Sequence, residues 1–235
     1  MKRGFTLIEM IITIVLLGIL SGLGVTILKN VFIGYSDTKT KNLLYNEAKY
    51  IYERIGRELR IAIPNTIRTG SDYIQYIMFE KSFYYEDNNS SLITIYGNND
   101  NLSSRQLSIY NVSPDNIYNG DRLYTIEDNS SLTSLYLDKN IDANSPYNRC
   151  FVIDTPVTIF KENNYLKRCF NYTINSSDGK NSGTCNILAN YIDNVDFKYL
   201  PGNNQNNAVV EISLTLKKNN VTMNYKNKIH IRNVP

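Results

Sequence analysis

Glu9 is the residue whose type and position most demand chemistry. It stands just inside an apolar run that reaches Leu28, and no charged residue follows it between Met10 and Leu28. A carboxylate in lipid costs roughly 2.5–3.5 kcal/mol on insertion scales, so an anchor with no other duty would discard it. The chemistry on offer is charge pairing, not bond making. An isolated acid and an isolated amine are each unfavourable in apolar surroundings, and a pair is less so. The partner charge therefore belongs to an assembly that the chain enters from the bilayer.

The other reactive residues make a poorer case. The chain has 3 cysteines, Cys150, Cys169 and Cys185, and 1 histidine, His230. In an oxidising, exported compartment one cysteine pair is expected, with the third thiol buried or intermolecular. Spacing alone does not fix the pair. Cys169–Cys185 would close a loop containing Asn175-Ser176-Ser177-Asp178-Gly179 and add roughly 2–4 kcal/mol. Cys150–Cys169 would instead staple two candidate strands; the first pairing is preferred. As metal ligands the cysteines lack a C-x-x-C element and a nearby histidine. His230 lies on an alternating terminal strand, where a structural or solvent-facing role is expected. Asp154-Thr155-Pro156 suggests an acid near a turn, with nothing to partner it. No Ser-His-Asp order, H-E-x-x-H, Walker loop or Rossmann fingerprint is present. The calcium-loop pattern is also absent, although acid-Asn loops leave weak calcium binding open. The expectation is no enzyme, no metal and no cofactor.

Formal net charge is +3. Between Glu47 and Arg60 basic residues alternate with acids, which reads as a solvated helix face with Glu53 and Arg57 paired at i,i+4. That is too weak a basic patch to assign nucleic-acid binding. The 19 tyrosines either form an adhesive surface or fill β positions.

Positioning these residues requires a long helix. At 1.5 Å per residue, Met10 to Leu28 covers about 28 Å, close to the hydrocarbon thickness of a bilayer. Lys2 and Arg3 keep the extreme N-terminus cytoplasmic, so everything after Lys29 is exported. A cleaved secretory signal is the competing reading, but Ser21, Gly22 and Gly24 give no A-x-A-like site. Beyond Leu28, the residues Leu44, Ala48, Ile51, Ile55 and Leu59 recur at steps of four and three, an apolar stripe of helical period. Pro64 marks the end, so the element is expected over Phe5–Ile63. Gly18, Gly22 and Gly24 permit close helix contact and also weaken the helix. Gly56 marks a second close contact, this one in the soluble half.

After Pro64, short runs rich in Ile, Tyr, Phe and Val alternate with Asn, Asp, Ser and Gly clusters. Strands are expected at Tyr73–Phe79, Phe83–Glu86, Leu92–Tyr96, Leu107–Tyr110, Leu132–Leu137, Cys150–Lys161, Tyr165–Asn171, Ile192–Leu200, Ala208–Lys217 and Val221–Val234. Asn98–Asn101, Asp128–Ser131 and Asn203–Asn207 read as loops. The fold class is α+β: a long N-terminal helix packed on an antiparallel β domain of one or two sheets.

Gly4-Phe5-Thr6-Leu7-Ile8-Glu9 resembles the class III signal of type IV pilins and pseudopilins. The resemblance implies a leader, residues 1–4, which prepilin peptidase removes between Gly4 and Phe5, followed by methylation of Phe5. In that family an acid five residues into the mature chain pairs with the first amine of a neighbouring subunit; Glu9 matches it. Residues 5–28 are then the membrane span and filament core, 29–63 an amphipathic helix packed on the domain, and 64–235 a periplasmic or extracellular β domain. The stretches Ile51–Arg68, Phe151–Val157 and His230–Pro235 are similar to accessory pilins of the MSHA (mannose-sensitive haemagglutinin) pilus, the MshO group. That resemblance implies a minor pilin acting in filament assembly, priming or tip formation. A J-like minor pseudopilin of type II secretion has a similar layout. A tip adhesin for glycans or nucleic acid is the remaining alternative. The implied partners are major and minor pilins, the peptidase, the inner-membrane assembly platform and, before assembly, the bilayer.

Overall fold

The computed structural model describes residues 6–89, 91–202 and 207–231. Helix α1 (Leu7–Arg60) is continuous over 54 residues, or about 80 Å at the usual rise. Its first turn is fixed by a capping box. The Glu9 amide donates to Thr6 Oγ1, and the Glu9 carboxylate accepts from the Thr6 amide at 3.0 Å. This satisfies two of the orphan donors at the helix start. Polar groups in the apolar half are also satisfied locally. Ser21 donates to the Leu17 carbonyl at 2.6 Å and Thr26 to that of Gly22 at 3.1 Å. Gly18, Gly22 and Gly24 do not break the helix.

The helix ends at Arg60, before Ile63. The reason lies in the next segment: the Ile63 amide bonds the Ile77 carbonyl at 2.8 Å, and the Phe79 amide bonds the Ile61 carbonyl at 3.1 Å. Residues 61–63 are drawn out of the helix onto the edge of a strand. Packing also begins later than expected. Residues 29–42 stand free of the β domain, and the first buried helical residue is Leu44. The apolar stripe starts only there, so nothing upstream has a face to bury. From that point Leu44, Ala48, Ile51, Ile55 and Leu59 are all buried.

The strands are β1 (Arg68–Thr69), β2 (Tyr73–Asn89), β3 (Leu92–Ile95), β4 (Gln106–Ile109), β5 (Leu123–Thr125), β6 (Ser134–Tyr136), β7 (Arg149–Glu162), β8 (Tyr165–Phe170), β9 (Thr184–Ala189), β10 (Ile192–Leu200), β11 (Ala208–Lys218) and β12 (Val221–Ile231). A short helix, α2 (Pro114–Tyr118), precedes β5. Among the described residues they form two antiparallel sheets. The larger has nine strands, with β5-β4-β7-β2-β3-β6 as its spine, β8 on β7 and β9 on β8; the smaller is β10-β11-β12. The β2 strand is one element where two were expected, bent by register shifts around Phe79 opposite Ile153. Those shifts also correct the reading of Asp154-Thr155-Pro156: this segment lies inside β7, not at a turn. The expected loop Asn203–Asn207 and the strand end at Val234 fall largely outside the described residues.

Two cores result. One lies between α1 and both sheets, built from the helical stripe with Ile74, Tyr76, Val157, Ile212 and Leu214. The other fills the far half of the large sheet, around Tyr85, Ile93, Ile95, Leu107, Tyr124 and Val152. The helix and β2 run the same way, since Glu58 meets Tyr76 while Ala62 bridges Met78. The second core therefore lies beyond the end of α1, on the side away from the apolar half.

Candidate functional site: an apolar helix anchored by a buried ion cluster

The apolar half of α1 is an exposed surface. From Leu7 to Leu28 every large side chain is at least half exposed, and the segment is long and apolar enough to cross a membrane. Such a surface must be covered by lipid or by other chains. Glu9 lies at its start. All the bonds that Thr6 makes to the Glu9 carboxylate go to Oε2, so Oε1 has no partner among the described residues. A carboxylate accepts at both oxygens. Glu9 can therefore keep its cap and still receive a second donor. Gly4 and Phe5, expected at the processing site, lie outside the described residues. A Cβ placed on Gly18, Gly22 or Gly24 would meet nothing within 4 Å. Nothing in the chain's own fold requires these glycines.

The other half of α1 is fixed to the domain by a residue the sequence reading misplaced. Glu58, expected on the solvated face, is 5 % exposed. Its carboxylate accepts from Tyr76 Oη at 2.6 Å and from Arg168 Nε at 3.0 and 3.1 Å, and Arg54 Nε lies 2.7 Å away. One helical acid is thus tied to β2 and β8 as well as to its own helix. Burial pushes the Tyr76 phenol far above its ordinary value, and the neighbouring Glu58 charge adds to the effect. The phenol stays protonated and donates. The signal was present in the sequence: Glu58 is three residues after Ile55 and seven after Ile51, beside the apolar stripe. The expected Glu53–Arg57 pair does not form. Lys49 pairs with Glu53 at 3.8 Å, and Arg57 Nε turns to the Glu53 carbonyl. Gly56 approaches Ile229 of β12, but a Cβ there would sit 3.7 Å from Cδ1, an ordinary contact.

Cys169 and Cys185 are disulfide-bonded, cross-strand partners on β8 and β9. Cys150 is a free, buried thiol, pushed up to about 12 by desolvation. His230 is exposed on β12.

The arrangement defines a class: a subunit with an exposed, membrane-length apolar half-helix, whose other half is fixed to an antiparallel α+β domain. Residues 1–25 match the family model of the prokaryotic N-terminal methylation motif. This prepilin-type signal supports a type IV pilin or pseudopilin-like protein. It implies processing by prepilin peptidase and assembly with other pilins, and it fits a single-pass inner-membrane anchor. No curated protein and no solved structure matches the chain.

Proposed function

We propose that the chain is a minor subunit of a type IV pilus of the MSHA-like kind, acting in filament assembly, priming or tip formation. The observation that carries this reading is the division of α1. Its first half is bare and apolar with one acid at its start, while its second half is locked to the domain through Glu58. The helix can then transmit position from a bundle to a rigid domain. The leader is residues 1–4, and cleavage exposes the amine of Phe5. Before assembly the subunit spans the inner membrane with its β domain in the periplasm; afterwards it is part of an extracellular filament. In the bundle, Glu9 Oε1 receives the amine of a neighbour, which removes two apolar-phase charges together. The work is mechanical, with no bond chemistry beyond processing.

Intact-mass measurement on the chain from cells with and without prepilin peptidase tests the reading. The expected mature form begins at N-methyl Phe5 only when the peptidase is present. A chain that keeps Met1 in both strains contradicts it. The same layout serves a J-like minor pseudopilin of type II secretion. Co-purification of the chain with sheared pili, as opposed to secretion-complex subunits, separates the two.

A further inference from the structure

Strand β7 is flanked on one side by β2, but on the other by two different strands. β4 pairs with Cys150–Val152, and β8 pairs from Val157 onward. Ile153–Pro156 have no strand on that side, and the gap is a cleft of about 370 Å³. Its walls are Arg105, Gln106 and Thr125 from the β4–β5 side and Asn171 and Tyr172 from the end of β8. Through Gln106, Asn171 and Tyr172 it runs into a second hollow of about 600 Å³ under the 171–183 loop.

The lining is chemically specific. The side chains of Gln106, Thr125, Asp154 and Asn171 make no hydrogen bond or ion pair among the described residues. Arg105 is engaged by Glu80 and by the Ile153 carbonyl. The cleft therefore offers amides, a hydroxyl and one carboxylate, with no free cation, which suits a ligand rich in hydroxyls and disfavours a phosphate polymer. It is also held in shape. Tyr172 Oη lies 2.7 Å from Thr158 Oγ1 and accepts from Gln75 Nε2 at 2.9 Å. Gly179, at φ +68, lies so close that a Cβ would be 2.6 Å from Tyr172 Cζ. Arg68 Nη1 donates to the Ser176 carbonyl at 3.1 Å, and Cys169–Cys185 closes the loop. A wall fixed beforehand loses little freedom on binding.

The cleft opens away from the helix. Ile74, Tyr76 and Met78 face the core beneath α1. Gln75, between them on β2, points to the opposite face, where it meets Tyr172. Covering α1 in a bundle leaves that face free.

We propose that this cleft binds a neutral oligosaccharide, with Asp154, Gln106 and Asn171 pairing with hydroxyls and the Tyr172 ring forming a wall. The proposal does not rest on the filament reading, because binding is measured on the isolated full-length chain. The experiment is saturation-transfer NMR in a detergent without a sugar headgroup, with chitotetraose, cellotetraose, lacto-N-tetraose and a ten-residue oligothymidylate as probes. At least one saccharide is expected to bind saturably. Asp154→Ala and Gln106→Ala should each weaken it about tenfold, without a change in melting temperature. Three results overturn the proposal: no saturable saccharide binding up to about 10 mM, binding that neither variant weakens, or binding of oligothymidylate alone.

Discussion

Glu58 illustrates how one side chain decides the mechanics of this chain. A buried carboxylate is tolerated only with its charge and lone pairs answered, and Tyr76, Arg168 and Arg54 answer them. Removing one partner strands the charge, which is far more harmful than the net worth of the pair. Arg168→Met should therefore lower unfolding free energy by about 3 kcal/mol, read as a shift in denaturant midpoint. Gly56 behaves oppositely. Its Cβ position is open and helical, so Gly56→Ala should raise stability by about 0.5–1 kcal/mol. Cys150 supplies a pH test. Its thiol ionises near 9.0 when free and near 12 when folded, so the folded state holds the proton longer. Its contribution is constant below about pH 9 and is lost as pH rises from about 9 towards 12. At pH 8 the folded chain should resist a thiol reagent, and the denatured chain should show one reactive thiol alongside an intact disulfide.

At the scale of elements, the helical stripe was readable because burial there follows a strict period: Leu44, Ala48, Ile51, Ile55 and Leu59 all face one core. The end of the helix was not readable. Ile61–Ile63 obey helical propensity until β2 competes for their backbone, and that competitor is distant in sequence. β9 was missed because its residues are mostly exposed; what holds Thr184–Ala189 in a strand is pairing to β8 beside the disulfide. α2 has only five residues and no apolar period of its own. The preference for Cys169–Cys185 rested on the loop it would close, and the structure shows that loop walled by Arg68 and Thr158. Replacing both cysteines by serine should cost about 2–4 kcal/mol. It should also raise hydrogen exchange across residues 171–183 more than in β11, which exchange measured by mass spectrometry would resolve.

For the molecule as a whole, the sequence disclosed the anchor and the class of fold, because both rest on local pattern: a membrane-length apolar run, then alternating strands. It did not disclose the cleft. Ile153–Pro156 lose their neighbour only because β4 and β8 share one edge of β7, a property of topology. The resulting design separates duties. The apolar half of α1 is free for other chains, the ion cluster transmits its position, and the far lobe and cleft face outward. The central claim is that Glu9 is kept for a positive partner brought by another subunit. The most direct test is the amount of a Glu9→Leu chain in sheared filaments, relative to the amount of that chain processed in the membrane. The account predicts normal membrane insertion and a fall in filament content of about tenfold or more, the loss expected when a buried charge loses its partner. Equal incorporation of the leucine chain and the native chain would contradict it.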